Sequence, residues 1–114
     1  MPIIQQSVRN TEFLLSEAGG ERSREQVVLL PSTESVSAGT IMVLGTGGYE
    51  AYDAPETPVA ITAAVAIIYN NKAASEDEQL VAAIVRDAEV DGDLLVGLND
   101  ASLTALASQG IIVR

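Results

Sequence analysis

Apolar residues along this chain come in short clusters separated by Gly, Pro and Ser, a spacing that favours strands over helices. Gln26-Val27-Val28-Leu29-Leu30 is one such cluster, stopped by Pro31, which breaks ladders and turns chains. Residues 31–39 are Ser-rich and read as turn. A second run, Thr40-Ile41-Met42-Val43-Leu44, ends at Gly45-Thr46-Gly47-Gly48, and Tyr49-Glu50-Ala51-Tyr52 alternates as the return strand of a hairpin would. Residues 59–69 alternate as well. Val59, Ile61, Ala63, Val65, Ile67 and Tyr69 share one face of a strand, and Ala60, Thr62, Ala64, Ala66 and Ile68 share the other. The bulky face fits a core. The alanine-rich face fits either a closely packed second layer or a neighbouring subunit.

Residues 79–90 carry two patterns at once. Ser75-Glu76-Asp77-Glu78 has capping-box spacing, and Leu80, Val81, Ile84, Val85 and Ala88 fit one helical face. Four β-branched residues (Val81, Ile84, Val85 and Val90) and continuous apolar character argue for a strand, and a strand is the expectation here. Asp91-Gly92 reads as a tight turn before Leu94-Leu95-Val96. One helix follows, capped by Asn99 or Asp100, with Leu103, Leu106 and Ala107 as its buried stripe and Gly110 at its end. Ile111-Ile112-Val113 closes the chain as a strand. The expected fold is therefore mainly β, with many short strands and one short C-terminal helix.

Residues 1–25 differ from this pattern. Their apolar clusters, Ile3-Ile4 and Phe13-Leu14-Leu15, are too small to build a core, and Gly19-Gly20 follows them. Arg9, Arg22 and Arg24 are half of the six basic residues of the chain, which leaves twelve acids and three bases for residues 26–114. The division expected is an N-terminal arm over 1–25 and a β-rich domain over 26–114. The arm reads either as a disordered tail or as a segment that orders on a partner, with its apolar clusters as anchors. Extended, it reaches ~80 Å, several times the ~13 Å radius of a domain this size.

Composition narrows the chemistry. At 114 residues and 47% hydrophobic residues the chain is one globular domain. No apolar run approaches the ~18 residues of a membrane helix, and the start does not read as a signal peptide. A net charge of -10 argues against binding nucleic acid through phosphates. The absence of Cys removes disulfides and thiolate chemistry, and the absence of His removes the side chain best suited to proton transfer and metal binding near neutral pH.

The remaining motifs read as structure. Gly45-Thr46-Gly47-Gly48 has no Lys after it and opens no helix, so a hairpin turn outranks a phosphate cradle. Asp91-Gly92-Asp93 lacks the further ligands of a calcium loop. Glu76-Asp77-Glu78 reads as a solvated loop before it reads as a cation site. Lys72 is the only lysine, and Ser75, three residues after it, lacks the surroundings of a Ser–Lys nucleophile. Arg86 reads as paired locally with Asp87 and Glu89, or else as an intersubunit contact. No catalytic residue, cofactor site or metal site is expected.

Four stretches in order resemble the head decoration protein family of tailed phages, the lambda-like capsid-stabilising proteins. They are Phe13-Leu14-Leu15-Ser16-Glu17 with Ser23-Arg24-Glu25 after a Gly-containing spacer; Ser37-Ala38-Gly39-Thr40 leading into an apolar strand; Ala83-Ile84-Val85-Arg86-Asp87-Ala88-Glu89-Val90; and Gly110-Ile111-Ile112-Val113-Arg114 after a short helix. The resemblance implies a β-clip-like fold, a sharply bent and mostly antiparallel ribbon. It implies a structural protein without catalysis, a homotrimer on the outer surface of the expanded capsid. There it would sit at three-fold and quasi-three-fold positions, bind the major capsid protein and stabilise the shell against the pressure of packaged DNA.

The resemblance also implies an N-terminal segment that orders on the capsid and can add a strand to it. The residues of this chain placed in that role are Ile3, Ile4, Val8, Phe13, Leu14, Leu15, Ser23, Arg24 and Glu25. No membrane, nucleic acid or cofactor is implied as partner. Two other readings stand beside it: a soluble ligand-binding or enzymatic β domain, which needs a concave polar pocket, and a module of a tail or fibre assembly.

Overall fold

A computed structural model describes residues 14–17, 24–52 and 61–114. Strand β1 (Leu14–Glu17) is followed by β2 (Arg24–Leu29), β3 (Ile41–Gly45), β4 (Gly48–Ala51), β5 (Val65–Ile68), β6 (Gln79–Ile84) and β7 (Ala88–Val90). A 3₁₀ turn (Gly92–Leu94), helix α1 (Asp100–Ser108) and β8 (Ile111–Val113) complete the chain. The mainly β expectation with one short helix near the C-terminus holds.

Five strands close into a barrel in the order β2-β4-β3-β5-β6, and β1, β7 and β8 form a three-stranded sheet in the order β1-β7-β8. Most pairings are antiparallel, as expected of a ribbon, but β2 with β4 and β7 with β8 are parallel. The hairpin between β3 and β4 is tight: Gly45 faces Gly48, and Gly47 takes the positive φ of 88° that a type II turn requires there. The Gly-rich motif is thus a turn.

Two cores result. Val27 and Leu29 of β2, Met42 of β3, Ala66 and Ile68 of β5, and Val81 and Ala83 of β6 fill the barrel, with Val36 and Val85 buried beside them and Tyr49 of β4 at the edge. Ile41, Val65, Ile67 and Ile84 point from the opposite faces of the same strands. They meet Ala88, Val90, Ala105, Leu106 and Ile111 in a layer roofed by the small sheet and the helix. β5 lies between the two cores and is buried on both faces, which is why its sequence is a continuous apolar run.

The strand expected over 59–69 is shorter than its alternation suggests: only Val65–Ile68 pairs, and residues 59 and 60 lie outside those described. Its small-residue face turns into the barrel, so the second layer is the explanation of Ala66. Residues 79–90 form strands rather than a helix, but two of them. Asp87, with a φ of 51°, turns the chain between β6 and β7.

The helix stripe needs correction. Ser102, Ala105 and Leu106 are buried, whereas Leu103 and Ala107 are exposed. Asn99 is the cap: its side chain accepts from the Ser102 N–H at 2.8 Å, and the Ser102 hydroxyl accepts from the Asn99 N–H at 2.8 Å. Ser102 is therefore a buried structural residue, fixed where a hydrophobic one was expected. Leu94 ends the 3₁₀ turn, and Val96 makes a parallel bridge to Thr40.

Candidate functional site

The residues placed in the capsid-binding role fall in two groups. Ile3, Ile4, Val8, Phe13 and Ser23 lie outside the described residues. Leu14, Leu15, Arg24 and Glu25 are described, and they sit where the N-terminal segment joins the domain.

β1 is the edge strand of the small sheet and pairs antiparallel with β7, Leu14 facing Val90, Ser16 facing Glu89 and Glu17 facing Ala88. The register shifts between Leu14 and Ser16, so Leu15 falls at an irregularity. Leu14 is half-buried against the layer between barrel and helix. Apolar packing and one short ladder thus tie this strand to its own domain.

Arg24 and Glu25 open β2, in register with Ile84 and Ala83 of β6. The Arg24 guanidinium lies 4.7 Å from the centroid of the Tyr69 ring, a cation–π distance. Glu25 accepts a 2.8 Å charge-assisted hydrogen bond from Arg86. Arg86 thus reaches a carboxylate 61 residues away in sequence, brought close by the β2–β6 ladder. Both side chains are about half exposed, so the pair contributes little stability. Glu89 accepts from Arg114 at 2.8 Å. Burial pushes the Tyr49 phenol above its ordinary pKa of 10.0, and the nearby Glu25 carboxylate adds to the rise.

The clefts offer little chemistry. One is an open depression between residues 31–33 and 74–76, another lies between 35–37 and 71–73. Ser75 lines the first and Lys72 the second. Ser75 accepts from the Asp77 N–H at 3.1 Å and is backbone-paired with Ser32, a turn role. Among the described residues no three His, Cys, Asp or Glu side chains gather to hold a metal ion, and no helix is long and apolar enough to cross a membrane.

Sequence reasoning missed Gln109. It follows the last turn of α1, and its side chain accepts from the Val65 N–H at 2.8 Å while donating to the Val65 and Val85 carbonyls at 2.7 and 2.8 Å. One amide clasps the start of β5 and the residue after the end of β6 to the helix. No local signal marks such a residue, because its partners lie 24 and 44 positions away.

The chain matches the family model described as bacteriophage lambda head decoration protein D over residues 3–111. No curated protein and no solved structure matches it.

Proposed function

The chain belongs to the bacteriophage lambda head decoration protein D family, structural proteins rather than an enzyme class, and from that premise we propose a trimeric external clamp. Its role is capsid decoration and its place is the virion. In the proposed state three copies sit on the outer surface of the expanded head at three-fold and quasi-three-fold positions. They bridge neighbouring major capsid protein subunits and hold the shell against the pressure of packaged DNA.

One observation carries this reading: the family match includes the N-terminal segment as well as the domain. Ile3, Ile4, Val8 and Phe13 are then the shell-facing apolar groups. Leu14 and Leu15, in the edge strand β1, are the point where the arm leaves its sheet, and Ser23, Arg24 and Glu25 form its root on the barrel. Added to an exposed sheet edge, such a segment gains main-chain hydrogen bonds and side-chain pockets. Each large apolar side chain buried contributes roughly 1.5–3 kcal/mol, offset by about 1–2 kcal/mol of backbone entropy for every residue ordered. One arm therefore binds weakly. Three linked arms gain an avidity of about 10²–10⁴, which makes self-association part of the function.

The test uses two truncations and expanded, undecorated heads. Removing residues 1–13 spares β1, and removing residues 1–22 deletes it. Both are expected to lose head binding in a co-sedimentation assay, the shorter truncation without loss of thermal stability. Undiminished binding by either at equal protein concentration overturns the role of the arm.

A further inference from the structure

Asp91-Gly92 joins β7 to the 3₁₀ turn. Asp-Gly is a pair at which a polypeptide backbone rearranges readily, because glycine, lacking a Cβ, leaves its own nitrogen unshielded. That nitrogen attacks the side-chain carbon Cγ of the aspartate. A five-membered imide closes and water leaves, made from the N–H proton and the hydroxyl of the protonated acid. A second water then opens the ring. Opening at the original backbone carbonyl leaves the chain running through the side chain, as isoaspartate. Both residues have structural reasons to be there. A Cβ at position 92 would lie 2.8 Å from Val113 Cγ1 and 3.3 Å from Leu98 Cδ2, so close packing against β8 favours glycine. Asp91 caps the 3₁₀ turn, its carboxylate accepting from the Asp93 N–H at 3.0 Å.

We propose that Asp91 is a latent isomerisation site, held closed by the end of β8. The Gly92 N–H, whose nitrogen is the attacking atom, donates to the Arg114 carbonyl at 3.2 Å. Arg114 is itself anchored: its N–H donates to the Val90 carbonyl at 2.9 Å and its guanidinium to Glu89 at 2.8 Å. The attacked group is held as well, by the Asp93 N–H. With ψ at 111°, the Asp91 backbone turns the Gly92 nitrogen away from its own side chain. Ring closure therefore needs the Arg114 bond and the Asp93 bond to open together. Loosening of β8 is reversible while the backbone is intact. Isoaspartate makes it permanent, because the added backbone carbon moves Gly92 out of line with Arg114 and with the Val113 side chain it packs on.

Asp91→Asn turns the site into a reporter. The same ring closure then expels ammonia, and hydrolysis leaves an acid in place of the amide, a change read by mass spectrometry. The amide oxygen still accepts from the Asp93 N–H, so the cap is kept. Deamidation of the folded full chain at neutral pH is expected to run at least about tenfold slower than that of the same chain in urea, since two hydrogen bonds must open first. Thr46→Asn is the control, an Asn-Gly pair in the exposed β3–β4 turn. Its folded and unfolded rates are expected to agree within about threefold, as for a site that needs no opening. The unaltered chain offers a measurement free of substitution: amide exchange at Gly92 is expected to be slowed at least about tenfold relative to the urea-unfolded chain. Equal rates for folded and unfolded Asp91→Asn, equal slowing at the control turn, or an unprotected Gly92 N–H overturns the lock.

Discussion

Gln109 shows how much one side chain decides here. Val65 is fully buried, and its N–H and C=O both end on the Gln109 amide, as does the Val85 C=O. Buried backbone groups left without partners cost about 1–3 kcal/mol each. Gln109→Leu is therefore expected to lower stability by roughly 2–4 kcal/mol in urea unfolding. Gln109→Glu separates hydrogen bonding from shape. Its carboxylate still accepts from the Val65 N–H but sets an acceptor against two carbonyls. That arrangement favours the protonated acid and raises the folded pKa above the ordinary ~4.3. The unfolded state then releases its proton first, so stability falls as pH rises between the two values and is restored below the lower one. Urea midpoints of Gln109→Glu that do not recover relative to wild type on acidification would disprove the donor role.

At the scale of elements, the barrel depends on how closely β4 approaches β2. Their parallel seam has one register pair, Leu29 with Tyr49, and a 2.8 Å hydrogen bond from the Leu30 N–H to the Tyr49 carbonyl. Gly48 permits the approach, because a Cβ there would lie 2.9 Å from the Val28 carbonyl oxygen. Gly48→Ala forces β2 and β4 apart and is expected to destabilise by about 1–3 kcal/mol. Gly45→Ala, across the same hairpin with 3.6 Å to its nearest neighbour, is expected to change stability by under about 0.5 kcal/mol. Thermal melts of the two variants make the comparison.

The same seam explains what the sequence made legible. Period-two alternation and turn residues revealed β2, the β3–β4 hairpin, β6 and β8, because those signals are local. The double burial of β5 was only half legible: Ala66 and Ile68 declared a second apolar face, but not that a barrel lies behind it. Val36 was hidden in a Ser-rich stretch taken for turn, although bridges to Lys72 and Ser75 from that stretch carry it into the barrel core. The helix stripe misled because Leu103 looks like core, while the capping box turns Ser102 inward. At the arm, the residues were named from resemblance. Contacts such as Arg86 with Glu25 depend on strand pairing and leave no trace in local spacing.

For the whole molecule, charge sets the terms of assembly. Three associated copies bring together a net -30, while Arg86 with Glu25 and Arg114 with Glu89 pair inside each copy. Net repulsion therefore outweighs local attraction. Screening shortens its range from about 10 Å at 0.1 M salt to about 3 Å at 1 M. Burial of apolar surface between copies, by contrast, gains strength with salt or is indifferent to it. Self-association is thus expected to tighten as salt rises, measured by sedimentation equilibrium at about 0.05 and 0.5 M sodium chloride, a range over which the screening length falls severalfold. Weakening over that range would mean that complementary charges, and not apolar burial, hold the copies together.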